Sequence, residues 1–208
     1  MTRGLMTALG LGVAVAALAG LYLSGVLSPG REDRFARCRT DQSAIGGGQI
    51  GGPFSLVSET GEAVTDADII IGPTLIYFGY TFCPDVCPLD NTRNAQAIYL
   101  LDERGYDVTP VFISIDPARD TPELLARFTE YMHPRMIGLT GTPEQVAAAS
   151  RAYRTFFKVQ DPDEEYYLID HSTLSYLVVP GLGFVEYFKR DMTPEEMAER
   201  IACFVDSL

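Results

Sequence analysis

The chain has 208 residues, a formal net charge of −12, a sequence pI near 4.5 and a hydrophobic fraction of 47%. That length holds one domain of ordinary size plus a terminal appendage, with enough apolar residues for a core that needs no disulfide scaffold. The acidic balance argues against nucleic acid and against a polybasic membrane surface as partners.

The first element is an apolar stretch. No charged residue lies between Gly4 and Gly30, and the run from Leu5 to Leu27 has the length a helix needs to cross a bilayer, about 20 residues. Arg3 precedes it and biases the N-terminus to the cytoplasm and the remainder to export. A cleaved signal peptide is the alternative, with Ala17-Leu18-Ala19 as its small-residue site, but the apolar run continues beyond that point. The expectation is therefore a single-pass anchor over 1–30, in a bacterial inner membrane, with the globular part in the periplasm. Residues 31–52 follow as a flexible juxtamembrane leader, charged from Arg31 to Arg39 and glycine-rich from Gly46 to Gly52. The globular domain is expected over 53–208.

Within that domain, Phe54–Val57 and Ala63–Thr65 alternate around a turn at Glu59–Glu62 and read as a β-hairpin. Thr74–Phe78 reads as a buried strand, the stretch from about Cys87 to Arg104 as a helix, and Pro110–Ile115 as a central strand. Three helices begin with the same Thr-Pro-Glu sequence, at Thr121, Thr142 and Thr193: an N-cap hydroxyl, a proline in the first turn and early negative charge. Gln145 and Glu196 complete capping boxes in the second and third. Met136–Leu139 reads as a short strand. Tyr166–Ile169, Thr173–Val179 and Phe184–Phe188 read as late strands, the last two joined by Pro180–Gly183 as a second hairpin. A βαβα core followed by a hairpin and a terminal helix is an α/β order of the thioredoxin-like kind, here with an added N-terminal β-hairpin.

The chemistry concentrates in Cys83-Pro84-Asp85-Val86-Cys87-Pro88, at a strand-to-helix junction. A helix N-terminus favours thiolate over thiol. On a helical turn the two cysteines are i and i+4 and face the same way, which suits two sulfurs on one soft metal ion and also permits a strained disulfide. A thioredoxin-type redox pair has two intervening residues, not three. Of the two histidines, His133 reads as a helix terminator, a cation at the negative end of the helix dipole. His171, expected in a loop between two late strands, is the better-placed third donor. Two soft sulfurs and one imidazole suit Cu(I), while zinc would ask for a fourth ligand. Cys38 and Cys203 are far apart, and in an exported protein they read as a structural disulfide, with two unpaired buried thiols as the alternative.

Three segments together resemble the signature regions of the Sco/SenC family: Cys83–Pro88, Ile113-Ser114-Ile115-Asp116-Pro117 with Arg119-Asp120-Thr121-Pro122, and Asp170-His171-Ser172. The resemblance runs from about Gly51 to Val205. It implies a membrane-tethered copper chaperone, handling Cu(I), Cu(II) or both, that helps assemble the dinuclear copper centre of cytochrome c oxidase. It implies Cys83, Cys87 and His171 as copper ligands, and Asp116 and Asp85 as residues that support the site or dock a partner. The partners it implies are the copper-bearing subunit of the oxidase and an upstream copper donor. Asp116 has a plainer reading too, as the end of a strand before a proline. Two other functions share the cysteine pair. A thiol-disulfide oxidoreductase acting on the oxidase copper-site cysteines would not require His171. A peroxide-reducing thiol enzyme would need an arginine beside one reactive cysteine.

Overall fold

The computed structural model describes Gly20, Tyr22 and residues 33–39, 50–161, 164 and 166–208. The expected membrane span lies outside these residues except at Gly20 and Tyr22, and the expected leader is described only at 33–39 and 50–52. Among the described residues no helix is long and apolar enough to cross a membrane.

From Cys38 onward the chain forms one compact unit. Its elements are β1 (Ser55–Ser58), β2 (Ala63–Thr65), a single-turn helix α1 (Asp66–Ile69), β3 (Thr74–Gly79), α2 (Val86–Glu103), β4 (Thr109–Ser114), α3 (Pro122–Met132), β5 (Ile137–Thr140), α4 (Pro143–Ala152), β6 (Phe157–Val159), β7 (Ile169–His171), β8 (Ser175–Val179), β9 (Gly183–Phe188) and α5 (Pro194–Val205). One sheet has the order β2-β1-β5-β4-β3-β8-β9, and β6 pairs with β7 in a second, two-stranded sheet. The β3-α2-β4 unit is parallel and the β8-β9 pair antiparallel, and α5 packs on α2. This is the thioredoxin-like arrangement, extended by the β1–β2 hairpin.

Local sequence explains most of these elements. Every residue of β3 and β8 is buried, as expected for strands covered on both faces. The hydroxyls of Thr121, Thr142 and Thr193 accept hydrogen bonds from the amides of Leu124, Gln145 and Glu196, and the capping boxes with Gln145 and Glu196 are closed. Two differences stand out. The strand expected at Tyr166–Ile169 lies later, at Ile169–His171, and its partner Phe157–Val159 gave no signal. Strands of three residues are too short for alternation to register.

Cys38 and Cys203 are bonded, with sulfurs 1.98 Å apart across 165 residues of sequence. Closing a loop that long is worth about 5 kcal/mol in the chain-entropy account. The neighbouring Arg39 guanidinium donates to the Val185 carbonyl at 3.1 Å and lies 3.9 Å from the Glu186 carboxylate, so the start of the unit is gripped at several points.

His133 ends α3, its amide donating to the Thr129 carbonyl. Its ring is buried, packs on Tyr99 at 4.3 Å and accepts the Arg135 amide at Nδ1, while Nε2 lies 3.3 Å from Asp102. Burial pushes its pKa below the ordinary 6.5 despite Asp102. The expected cation at the helix end is therefore disfavoured, because burial outweighs the attraction of Asp102.

This has a consequence for stability. A base whose folded pKa is depressed supports the fold fully above its ordinary value of 6.5 and loses that support as pH falls through the folded value. The thermal midpoint of the wild type should fall more steeply on acidification than that of His133→Gln; parallel curves would contradict this assignment.

Candidate metal centre

Strand register assembles the site. Gly79 ends β3 opposite Ser114 of β4, and Ile115 donates back to the Gly79 carbonyl at 2.8 Å. The loops after these parallel strands therefore leave side by side. On the other flank β8 runs antiparallel, with Ser175 opposite Tyr77. The residues just before β8 consequently arrive at the same end, and His171 is among them. Three segments distant in sequence thus meet at the carboxyl ends of the parallel strands β3 and β4, the end at which open α/β sheets bind ligands.

Cys83 lies in the loop before α2, not on the helical turn that its spacing from Cys87 suggested. Pro84 is the reason: the residue before a proline is driven out of the helical region. Pro88 is tolerated because it sits in the first turn, where amides have no intrahelical acceptor. Asp85 holds the N-cap position, yet its side chain makes no capping bond. Cys83 Sγ takes that place, accepting the Cys87 amide at 3.4 Å. A sulfur that accepts from a helix N-terminus is stabilised as thiolate. The Cys83 pKa is accordingly well below its ordinary value, through the hydrogen bond from the Cys87 side chain first and, against the cost of burial, through backbone amides.

Cys87 goes the other way. Its pKa is raised by its bond to the Cys83 sulfur and by burial. The pair is thus biased toward a thiolate at Cys83 and a thiol at Cys87; both are buried, Cys87 the more deeply. Cys87 Sγ lies 3.2 Å from His171 Nε2, and His171 Nδ1 lies 2.8 Å from the Ser172 carbonyl oxygen. A carbonyl only accepts, so Nδ1 carries the ring proton in the neutral imidazole and Nε2 presents a lone pair to the sulfurs. The rings of Tyr80 and Tyr77 stand edge-on to His171, with centroids 5.8 and 6.3 Å away. His171 closes strand β7, paired with Phe157, instead of sitting in the expected loop.

The two sulfurs and the imidazole nitrogen all lie within 4.8 Å of one another. This compact S,S,N set suits a soft ion such as Cu(I) and leaves coordination positions open for exchange. Among the described residues it is the group of that composition and spacing.

The other sequence candidates fall around it. Asp116 is buried and accepts from the Tyr167 hydroxyl at 2.7 Å and Arg119 Nε at 2.5 Å; neither bond reaches a ligand atom. Asp85 is exposed at the mouth of the loop. Cys38 and Cys203 form their own bond and take no part in the cluster. Two residues that matter were not foreseen. A Cβ on Gly79 would lie 2.9 Å from Cys87 Sγ and 2.8 Å from the Tyr77 ring, so the buried sulfur occupies space that only glycine leaves. A glycine closing an apolar strand just before the cysteines was the available signal. Asp120 is fully buried and accepts from Ser114 Oγ at 2.5 Å and from the amide and hydroxyl of Thr81, fastening the cysteine loop to β4.

Comparison with known proteins agrees with this arrangement. Residues 42–206 match the family described as SCO1/SenC. The chain is 54% identical over 195 residues to protein SenC of Rhodobacter capsulatus, covering 94% of this chain and 88% of that one. It is 40% identical to the mitochondrial SCO1 homologue of Homo sapiens, of whose length it spans 63%. Among solved structures, Arabidopsis thaliana ScoI with copper bound is 36% identical with a TM-score of 0.71, covering 76% of this chain and 99% of that one.

Two outcomes follow for the metal-free protein. Limiting iodoacetamide at neutral pH should modify Cys83 well before Cys87, as read by peptide mass spectrometry; equal labelling would contradict the one-thiolate pair. Gly79→Ala should displace the Cys87 sulfur and lower metal affinity by at least about tenfold, the scale of losses when a ligand's support is removed. Unchanged metal affinity in a folded Gly79→Ala chain would show that the close approach does not matter.

Proposed function

The chain belongs to the SCO1/SenC family, and on that premise we propose that it binds copper through Cys83, Cys87 and His171 and helps assemble the dinuclear copper centre of cytochrome c oxidase. The observation that carries this reading is the convergence of two sulfurs and one imidazole nitrogen within 4.8 Å. Soft thiolates hold Cu(I), and the imidazole extends the set toward Cu(II). Cys83, biased toward thiolate and the less deeply buried of the two, is the donor that an incoming ligand reaches first. Cys87 gives up its proton on metal binding and, lying deepest, is the last to let go. His171 offers Nε2, which faces Cys87 Sγ at 3.2 Å, while Nδ1 is held by the Ser172 carbonyl. A three-donor set leaves room for a recipient's ligand to enter before these leave, which is what delivery requires.

Topology completes the proposal. Residues 1–30 anchor the chain in the inner membrane, 31–52 form the leader, and 53–208 form the copper-binding domain on the periplasmic side. Tethering raises the local concentration of the site near a membrane-bound oxidase subunit without adding any contact. The Cys38–Cys203 bond persists in that oxidising compartment. The copper itself comes from an upstream donor; Asp85, exposed beside the cysteine loop, is available to dock a partner, and Asp116, buried, supports the site.

One observation favours a second reading. A rim thiolate backed by a protonated thiol is also the arrangement for thiol-disulfide exchange, with Cys83 attacking and Cys87 resolving. The two readings part at His171. The purified full-length chain in detergent should bind one copper, and His171→Ala should weaken retention by at least about tenfold. Equal retention by His171→Ala would overturn the three-ligand site. Thiol-exchange activity without copper binding by the wild type would favour the second reading.

A further inference from the structure

Between β4 and α3 the chain makes a turn that grips both ligand-bearing segments. Asp116 accepts the Asp120 amide at 2.9 Å and the Arg119 amide at 3.2 Å, which folds residues 116–120 tightly on themselves. From this turn Asp120 reaches one way. Its carboxylate takes the Thr81 amide at 3.1 Å and the Thr81 hydroxyl at 2.5 Å, two residues before Cys83. Arg119 reaches the other way. Its Nη1 donates to the Tyr167 carbonyl at 3.0 Å, and its guanidinium lies 3.6 Å from the centroid of the Tyr167 ring. The Tyr167 hydroxyl donates to Asp116 at 2.7 Å, and Asp116 in turn accepts Arg119 Nε. Tyr167 is thus held at its carbonyl, its ring face and its hydroxyl. Its segment continues directly into β7, which ends at His171.

The same guanidinium also stands over Phe82 at 5.0 Å and Tyr80 at 5.6 Å, the residues flanking Thr81 in the cysteine loop. Planar stacking with a fixed fork of donors is a role that arginine fills and lysine does not. No ligand atom is touched by Arg119, Tyr167 or Asp120. Their contacts instead join one segment to the other across a sequence gap of 48 residues between Arg119 and Tyr167.

We infer that Arg119 and Tyr167 are positioning residues that set the distance between the imidazole of His171 and the cysteine pair, and thereby the preference of the site for Cu(II) relative to Cu(I). This rests on the copper reading above. Two thiolates suffice for Cu(I), whereas Cu(II) gains more from the nitrogen donor. Loosening the histidine segment while Asp120 still holds the cysteine loop should therefore be felt by one oxidation state more than by the other.

The test uses the full-length chain in detergent, with Cu(I) and Cu(II) affinities each measured by competition against a chelator. Arg119→Leu and Tyr167→Leu should each raise the Cu(II) dissociation constant about tenfold and shift the thiolate-to-Cu(II) charge-transfer band. The Cu(I) dissociation constant should stay within about threefold of wild type, as expected when both thiolates remain. Tyr167→Phe keeps the ring beneath the guanidinium and the carbonyl, loses only the bond to Asp116, and should stay close to wild type for both ions. Arg119→Lys keeps the charge and loses the fork, so it should resemble Arg119→Leu. A metal-free reading is independent of copper. The His171 ring should give one sharp NMR resonance in the wild type and a broadened or split one in Arg119→Leu, with the alkylation rate of Cys83 unchanged. Affinities for both ions that fall together, or that both stay at wild type with an unaltered His171 resonance, would overturn the inference. A wild type that binds no copper, with the His171 resonance still responding to Arg119→Leu, would fail the copper reading and leave the positioning role standing.

Discussion

The mixed pairing of β3, parallel to β4 on one side and antiparallel to β8 on the other, is the constraint on which the rest of this structure depends. Parallel pairing sends the cysteine loop and the Asp116–Asp120 turn out from one end of the sheet. Antiparallel pairing brings the chain into β8 at that same end, so His171 arrives there without any special device. A slip of one residue in either register would turn the inward face outward and scatter the three donors. The buried strands that prevent such a slip, with Leu75, Ile76, Tyr77 and Phe78 in β3 against Val111, Phe112 and Ile113 in β4, therefore hold the site as much as the core.

Within that frame the two cysteines are made unequal by position alone. Pro84 keeps Cys83 off the helix, and in that place its sulfur accepts an amide of the helix N-terminus that would otherwise lack a partner. Cys87, one turn further on, is packed against Gly79 and enclosed by Tyr77. The tyrosine is itself fixed by its bond to buried Asp90 at 2.9 Å. One sulfur is thus favoured as an anion, and the other, more deeply buried, is favoured as a thiol beneath it. The imidazole beside them turns Nε2 toward the sulfurs and Nδ1 toward the Ser172 carbonyl. A site that must accept and release a soft ion gains from such a gradient, because the donors can engage and leave in sequence.

Much of the fold could be read from local signals. The apolar runs of β3, β4 and β8 and the Thr-Pro-Glu starts of α3, α4 and α5 each carry their cause within a few residues. The same holds for the start of α1, where the Asp68 carboxylate accepts from both the amide and the hydroxyl of Thr65. The pairing of β6 with β7 was not legible, since two strands of three residues, separated by an acidic loop, present no periodicity. The convergence of Cys83, Cys87 and His171 could be expected from donor chemistry and family resemblance, but their inequality could not. It depends on which sulfur lies off the helix, and Pro84 offered that clue. The grip of Arg119 on Tyr167 had no local signature at all, because its two halves lie 48 residues apart in the sequence.

The most direct test of the account is X-ray absorption on the copper-loaded, full-length chain, alongside His171→Ala. The account predicts a Cu(I) shell of two sulfurs and one nitrogen in the wild type, with the nitrogen contribution lost in the variant. A sulfur-only shell in the wild type, or a nitrogen contribution that survives in His171→Ala, would contradict it.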